Sequence, residues 1–232
     1  MVSPAQRKLC QFQMAALVVA VSVASVGCGS ATKTASPSSP SGAALNSATG
    51  RPRLDGPNKT INDYIDENNI TETPFKPDDP GTPRFDFPFP PDWSNAGDRT
   101  PEWAYGAIVY DKPLDPADPP AMVAIASKLT GSVDPAKILE YAPGQLLNLP
   151  GFKPLGDPEK STLGGFEAVQ SAGTYTYDGK ARVIAQKTVV IPGNDSLFAL
   201  QLNADAPQTQ EAVVIDAAKI IDEQTKIAAP QR

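Results

Sequence analysis

The chain has 232 residues, carries 26 acidic against 20 basic side chains for a net charge of −6, and contains no histidine and two cysteines. The acidic balance argues against a nucleic acid or an anionic membrane face as an electrostatic partner. The missing histidine excludes Ser-His-Asp and Cys-His nucleophilic catalysis and His-ligated zinc.

Arg7-Lys8 precede an apolar run from Met14 to Val26. At 13 residues that run is short for a transmembrane helix and has the layout of a secretory signal. It ends in Ser25-Val26-Gly27-Cys28, which resembles the bacterial lipobox, where the cysteine after a small residue is acylated before cleavage. Ser25 stands where a lipobox usually has leucine, and cleavage near Ser22-Val23-Ala24 is the alternative. Removal of residues 1–27 takes away Arg7 and Lys8, leaving 18 basic and 26 acidic side chains, a balance of −8. Cys28 is then the only mature thiol, so no intramolecular disulfide forms despite an oxidising compartment. Residues 28–58, rich in Ala, Ser, Thr and Pro, are expected to be a disordered tether of roughly 30 Å average reach. The folded unit is expected over residues 59–229, a single domain.

Within that unit Thr60 caps a short helix with Ile61, Tyr64 and Ile65 on one face. Ile70 to Phe75 reads as a strand, and the alternating aromatics from Arg84 to Pro90 as an edge strand or extended loop, because of their prolines. Glu102 to Tyr110 and Met122 to Leu129 read as further strands, separated by a proline-rich loop. Asp134-Pro135 opens a second helix that Pro143-Gly144 ends or kinks. Leu163 to Ala204 reads as three consecutive strands. The turn Tyr177-Asp178-Gly179-Lys180 joins the first two, and Asp-Gly favours a type I′ hairpin. The third strand places Phe198, Leu200, Leu202 and Ala204 on one face. A last helix beginning at Asp205–Gln208, with Val213, Val214, Ala217, Ile220 and Ile221 in its apolar stripe, is shaped to cover that face. The class is therefore α+β, a mainly antiparallel sheet with helices packed on its faces.

Acid–base chemistry by paired carboxylates would draw on Asp86, Asp92, Glu102, Asp111, Glu140 and Glu167, but no pattern marks two of them. No phosphate-binding glycine motif and no calcium-loop spacing is present, so no cofactor and no metal is expected. Eight of the mature chain's fifteen aromatics lie between Phe75 and Tyr110, in a segment too rich in proline to be all regular core. They either line an apolar groove or pack the second half of the core. In the first case Trp93, Trp103, Tyr105 and the neighbouring Glu102 are the ligand-binding candidates, supplying polar contacts at its mouth.

Thr60-Ile-Asn-Asp-Tyr-Ile, Pro90-Pro-Asp-Trp, Thr100-Pro-Glu-Trp-Ala-Tyr-Gly-Ala-Ile, Leu149-Pro-Gly-Phe, Leu163-Gly-Gly-Phe-Glu-Ala and Gln186-Lys-Thr-Val-Val-Ile occur here in order. This set resembles the mycobacterial LpqN/LpqT lipoprotein family, over roughly residues 59–228. The resemblance implies a PsbP/Mog1-like α/β/α sandwich and a non-enzymatic lipoprotein anchored through Cys28 to the outer face of the cytoplasmic membrane. It implies a glycolipid ligand resembling a trehalose ester, or a part in mycolate and envelope-lipid export. The alternative is a docking or assembly module for a mycolate-export transporter or secreted envelope enzymes, and a carboxylate hydrolase is a third reading.

Overall fold

The computed structural model describes residues 43–45 and 49–230. The signal segment and Cys28 lie outside them. The strands are β1 (Ala43–Leu45), β2 (Pro52–Leu54), β3 (Thr71–Pro74), β4 (Arg84–Asp86), β5 (Trp93–Asn95), β6 (Gly106–Tyr110) and β7 (Ala121–Thr130). They continue as β8 (Lys153–Pro154), β9 (Glu159–Leu163), β10 (Phe166–Tyr177), β11 (Lys180–Pro192), β12 (Leu197–Pro207) and β13 (Lys226–Ala228). The helices are α1 (Ile61–Glu67), α2 (Pro135–Tyr141), α3 (Gly144–Leu147) and α4 (Glu211–Gln224).

Nine strands form one antiparallel sheet in the order β5-β6-β7-β12-β11-β10-β8, with β3 on the second half of β7 and β9 on the first half of β10. The long central strands are the expected meander. Asp178 and Gly179 both have positive φ, as a type I′ turn requires. The meander gains a fourth strand at its start, since Gly164 (φ +55) and Gly165 (φ +87) fold β9 back on β10.

Helices cover both faces of the sheet. On one face α4 buries Val214, Ala217, Ala218 and Ile221 against Leu200, Leu202, Ala204 and Ala206. The helix starts at Glu211, later than the sequence suggests, because β12 runs on to Pro207 and pairs with Arg182. On the other face α1 and α2 place Tyr64, Ile65 and Ile138 over Leu129, Val190 and Leu197. Thr60 and Asp63 form a capping box at the start of α1. The Tyr64 hydroxyl accepts the Asp134 N–H at 2.9 Å and ties α1 to α2.

This second face is not wholly apolar. Gln186, Asn203, Gln201 and Thr188 are buried there and bond to one another, with Gln186 donating to Asn203 at 3.1 Å and Gln201 to Thr188 at 3.4 Å. Buried amides and hydroxyls are tolerable when they satisfy each other.

Residues 49–58, assigned to the tether from their composition, instead lie against the domain. Arg51 pairs with Glu72 of β3, and Arg53 with Asp55, Asp63 and Asp66. Leu54 packs beside Leu146, Leu149, Tyr175 and Ile184, and the Asn58 N–H donates to Asn148 Oδ1 at 3.0 Å. Charge pairing with distant residues holds a segment that has little apolar surface of its own.

Candidate functional site

The aromatic segment supplies both readings given above. Phe75 is core: its ring stands edge-on to Phe198 (centroids 5.7 Å, 88°) and to Tyr105 (5.8 Å, 79°). Phe85 and Phe87 lie further out. Phe85 stacks edge-on against Tyr105 at 5.1 Å and meets Phe87 at 5.7 Å. The strap that carries them leaves β4 through Pro88-Phe89-Pro90, and β4 pairs with β13 rather than with the main sheet. Proline cannot donate to a ladder, so the chain after Asp86 stays extended and unpaired above the sheet.

Between this strap, the α4 face of the sheet and Ile221 of α4 lies a groove of about 330 Å³. Phe85, Phe87, Phe89 and Tyr105 form one side, and Ile108, Met122, Ala124, Leu202 and Ala204 the floor. Phe89 stands at the rim with 59% of its surface exposed. Burial raises the phenol pKa of Tyr105, so that side chain remains a neutral hydroxyl at any physiological pH. Asp86 is the only acid lining the groove, there is no basic lining residue, and Asn95 is the amide at its border.

The structure separates the four residues proposed from the sequence. Only Tyr105 lines the groove. Trp93 is buried in the α4-side core against Tyr110, with ring centroids 5.8 Å apart. Glu102 is exposed, and its carbonyl accepts a hydrogen bond from Lys76 Nζ. Trp103 lies over the opposite face, against Ala121, Val123 and Ile125.

The reason is local. A strand from Glu102 would put Trp103 and Tyr105 on one face, but β6 starts only at Gly106. Before it, Pro101 to Ala104 make a turn in which the Ala104 N–H donates to the Pro101 carbonyl at 2.9 Å, and this turn sends the two rings to different sides. The floor residues from β7 and β12 were missed because their spacing marks them as ordinary core. Nothing in a single sequence says that the cover over Met122 and Ala124 is incomplete.

Trp103 instead borders a smaller cavity of about 40 Å³, with Arg51, Glu72, Ser127, Thr188 and Gln201 in its lining. Glu72 Oε2 and Ser127 Oγ are buried there without a hydrogen-bond partner among the described residues. That volume suits a few water-sized groups, whereas the groove is in the range of small-molecule sites.

Neither cavity brings two acids together. Glu72 is paired with Arg51, Asp222 with Lys187, and Asp205 is held by Arg182 and Tyr175. Of these only Glu72 lines either cavity.

The family model described as "Probable lipoprotein LpqN" matches residues 57–228. Lipoprotein LpqN of Mycobacterium tuberculosis (strain ATCC 25618 / H37Rv) is 55% identical over 174 residues, which is 74% of this chain and 75% of that protein. The crystal structure of LpqN involved in cell envelope biogenesis of Mycobacterium tuberculosis superposes with a TM-score of 0.71, at the same 55% identity. The match covers 75% of this chain and 100% of that one. The whole of that crystallised chain thus has its counterpart within this one.

Proposed function

Because the chain belongs to the LpqN lipoprotein family, we propose that it is a non-enzymatic, envelope-associated lipoprotein that serves envelope-lipid biogenesis by holding the alkyl chain of an acylated glycolipid. The observation that carries this reading is the apolar groove between the Phe85–Phe89 strap and the sheet, whose lining has a single acid and no base. Such a lining offers mainly burial, since its one carboxylate, Asp86, is exposed and has no second acid or base beside it in the lining to share general acid–base work. The sugar head of a glycolipid would remain outside, near Asp86, Asn95 and the Phe89 rim. Cys28 is the residue this reading assigns to the membrane anchor, and intact-mass measurement of the protein extracted from its own envelope tests that assignment.

The groove is tested by titrating the domain, residues 49–230, with a neutral single-chain fluorescent amphiphile below its micelle concentration. Saturable binding is expected. Phe85→Ala and Phe87→Ala should each weaken it about tenfold, the equivalent of roughly 1.4 kcal/mol of lost contact. Trp103→Ala should leave it unchanged, because Trp103 is on the other face. Equal losses from all three variants, or no saturable binding, would sink the reading.

The exposed ring of Phe89 favours one alternative, in which the strap docks an envelope protein such as a mycolate-export transporter or a secreted envelope enzyme. Crosslinking in the envelope separates the two: a partner lost on Phe89→Ser while amphiphile binding persists supports docking.

A further inference from the structure

Gly106 opens β6 and lies on the groove floor directly opposite Ala124 of β7. Its backbone is not in the left-handed region, so it does not need glycine's freedom there. Close packing does not require glycine either, since a Cβ built at Gly106 would meet no heavy atom within 4 Å. Gly173 makes the contrast clear: a Cβ there would fall 2.3 Å from the Phe152 ring. A strand glycine with neither reason costs stability, and such glycines mark places where something outside the chain comes close to the backbone.

The registers extend this gap into a track. Gly106, Ala124 and Leu202 form one row across three neighbouring strands, and Ile108, Met122 and Ala204 the next. The first row is low at Gly106 and Ala124, with the larger side chains of the second row beside it.

We propose that Gly106 sets the depth of the groove, its missing side chain leaving room for an alkyl chain to lie on the floor beside Ala124. This rests on the alkyl-binding reading above and names the residue that decides whether the floor admits the chain.

The test uses the 49–230 domain and calorimetric titration with n-octyl and n-decyl phosphocholine, both below their micelle concentrations. The parent domain is expected to bind both saturably. Gly106→Val and Gly106→Leu should each weaken the ten-carbon probe at least tenfold. Gly106→Ala should fall between, and none of the three should lower the Tm. Affinity that is unaffected by Gly106→Leu overturns the assignment while leaving alkyl binding intact. A parent domain that binds no probe overturns the alkyl-binding reading itself.

Discussion

Lys187 has a side chain of 0% exposure in the middle of β11, on the face that α4 covers. Its ammonium donates to the Asp222 carboxylate and to the Thr162 carbonyl. Burial lowers the Lys187 pKa and raises that of Asp222, each opposed by the pairing between them. A buried pair of this kind contributes little net stability, but removing one partner strands the other charge. Lys187→Met should therefore cost about 3–5 kcal/mol in a denaturant melt, while Lys187→Met with Asp222→Leu should recover most of the loss. If the double variant is as unstable as the single one, the pair does more than neutralise itself. A second buried acid, Asp205, has its pKa pushed up to about 6 by desolvation, against the attraction of Arg182. A carboxyl whose folded pKa lies above its unfolded one favours the protonated native state. Its contribution is thus fully present below about pH 3.9 and is lost as the pH rises through about 6. The Tm of the parent minus that of Asp205→Asn should accordingly fall between pH 4 and 6.5, and a flat or rising difference would refute the shift. None of these partnerships was readable beforehand. Lys187 is 35 residues from Asp222, and the apolar stripe read from α4 assigned Asp222 to neither side of the helix.

At the scale of elements, the strap over the groove depends on the far end of the chain. β4, which carries Phe85, pairs only with β13, and β13 is seated against the β9–β10 turn. A Cβ at Gly164 would fall 2.9 Å from the Ile227 backbone nitrogen, in a turn whose φ of +55° already disfavours side chains. Gly164→Ala should therefore cost about 1–3 kcal/mol. It should also weaken amphiphile binding, though Gly164 does not line the groove. Thermal melts and titration of the same variant check the coupling, and full affinity with lowered Tm would show that the strap holds its place without β13. The elements themselves were largely legible. A period-two pattern marked β12, the Asp178-Gly179 turn marked the hairpin of β10 and β11, Asp134-Pro135 marked α2, and the Thr60 cap marked α1. Two features were hidden for definite reasons. Gln186, Gln201 and Asn203 belong to no apolar pattern, yet they are buried on the face that carries α1 and α2, where amides in register satisfy one another. The strand before Tyr110 was read four residues too long, since Trp103 and Tyr105 alternate correctly for a strand but follow a proline turn.

For the molecule as a whole, charge and groove are independent properties. The chain is acidic, at −6, but the groove lining contains one exposed acid and no cation. Taking an alkyl chain out of water is worth roughly 0.8 kcal/mol per buried CH₂. A lipid leaving a bilayer was already out of water, so most of that gain cancels on exchange. The groove is therefore suited to accepting and releasing chains rather than retaining them, and preference among lipids falls to the head group outside. Coulomb repulsion from an acidic surface is screened over about 10 Å at 0.1 M salt, and over longer distances in dilute buffer. A zwitterionic ten-carbon probe should consequently bind with a Kd that changes less than about twofold between 50 and 500 mM NaCl, beyond the small strengthening that salt gives to apolar burial. A fatty acid of the same length should bind more weakly at 50 mM and recover several-fold by 500 mM, as the repulsion is screened. Paired titrations of the 49–230 domain measure both. Tighter fatty-acid binding at low salt would reveal a cationic head-group site, for which the groove's lining has no residue.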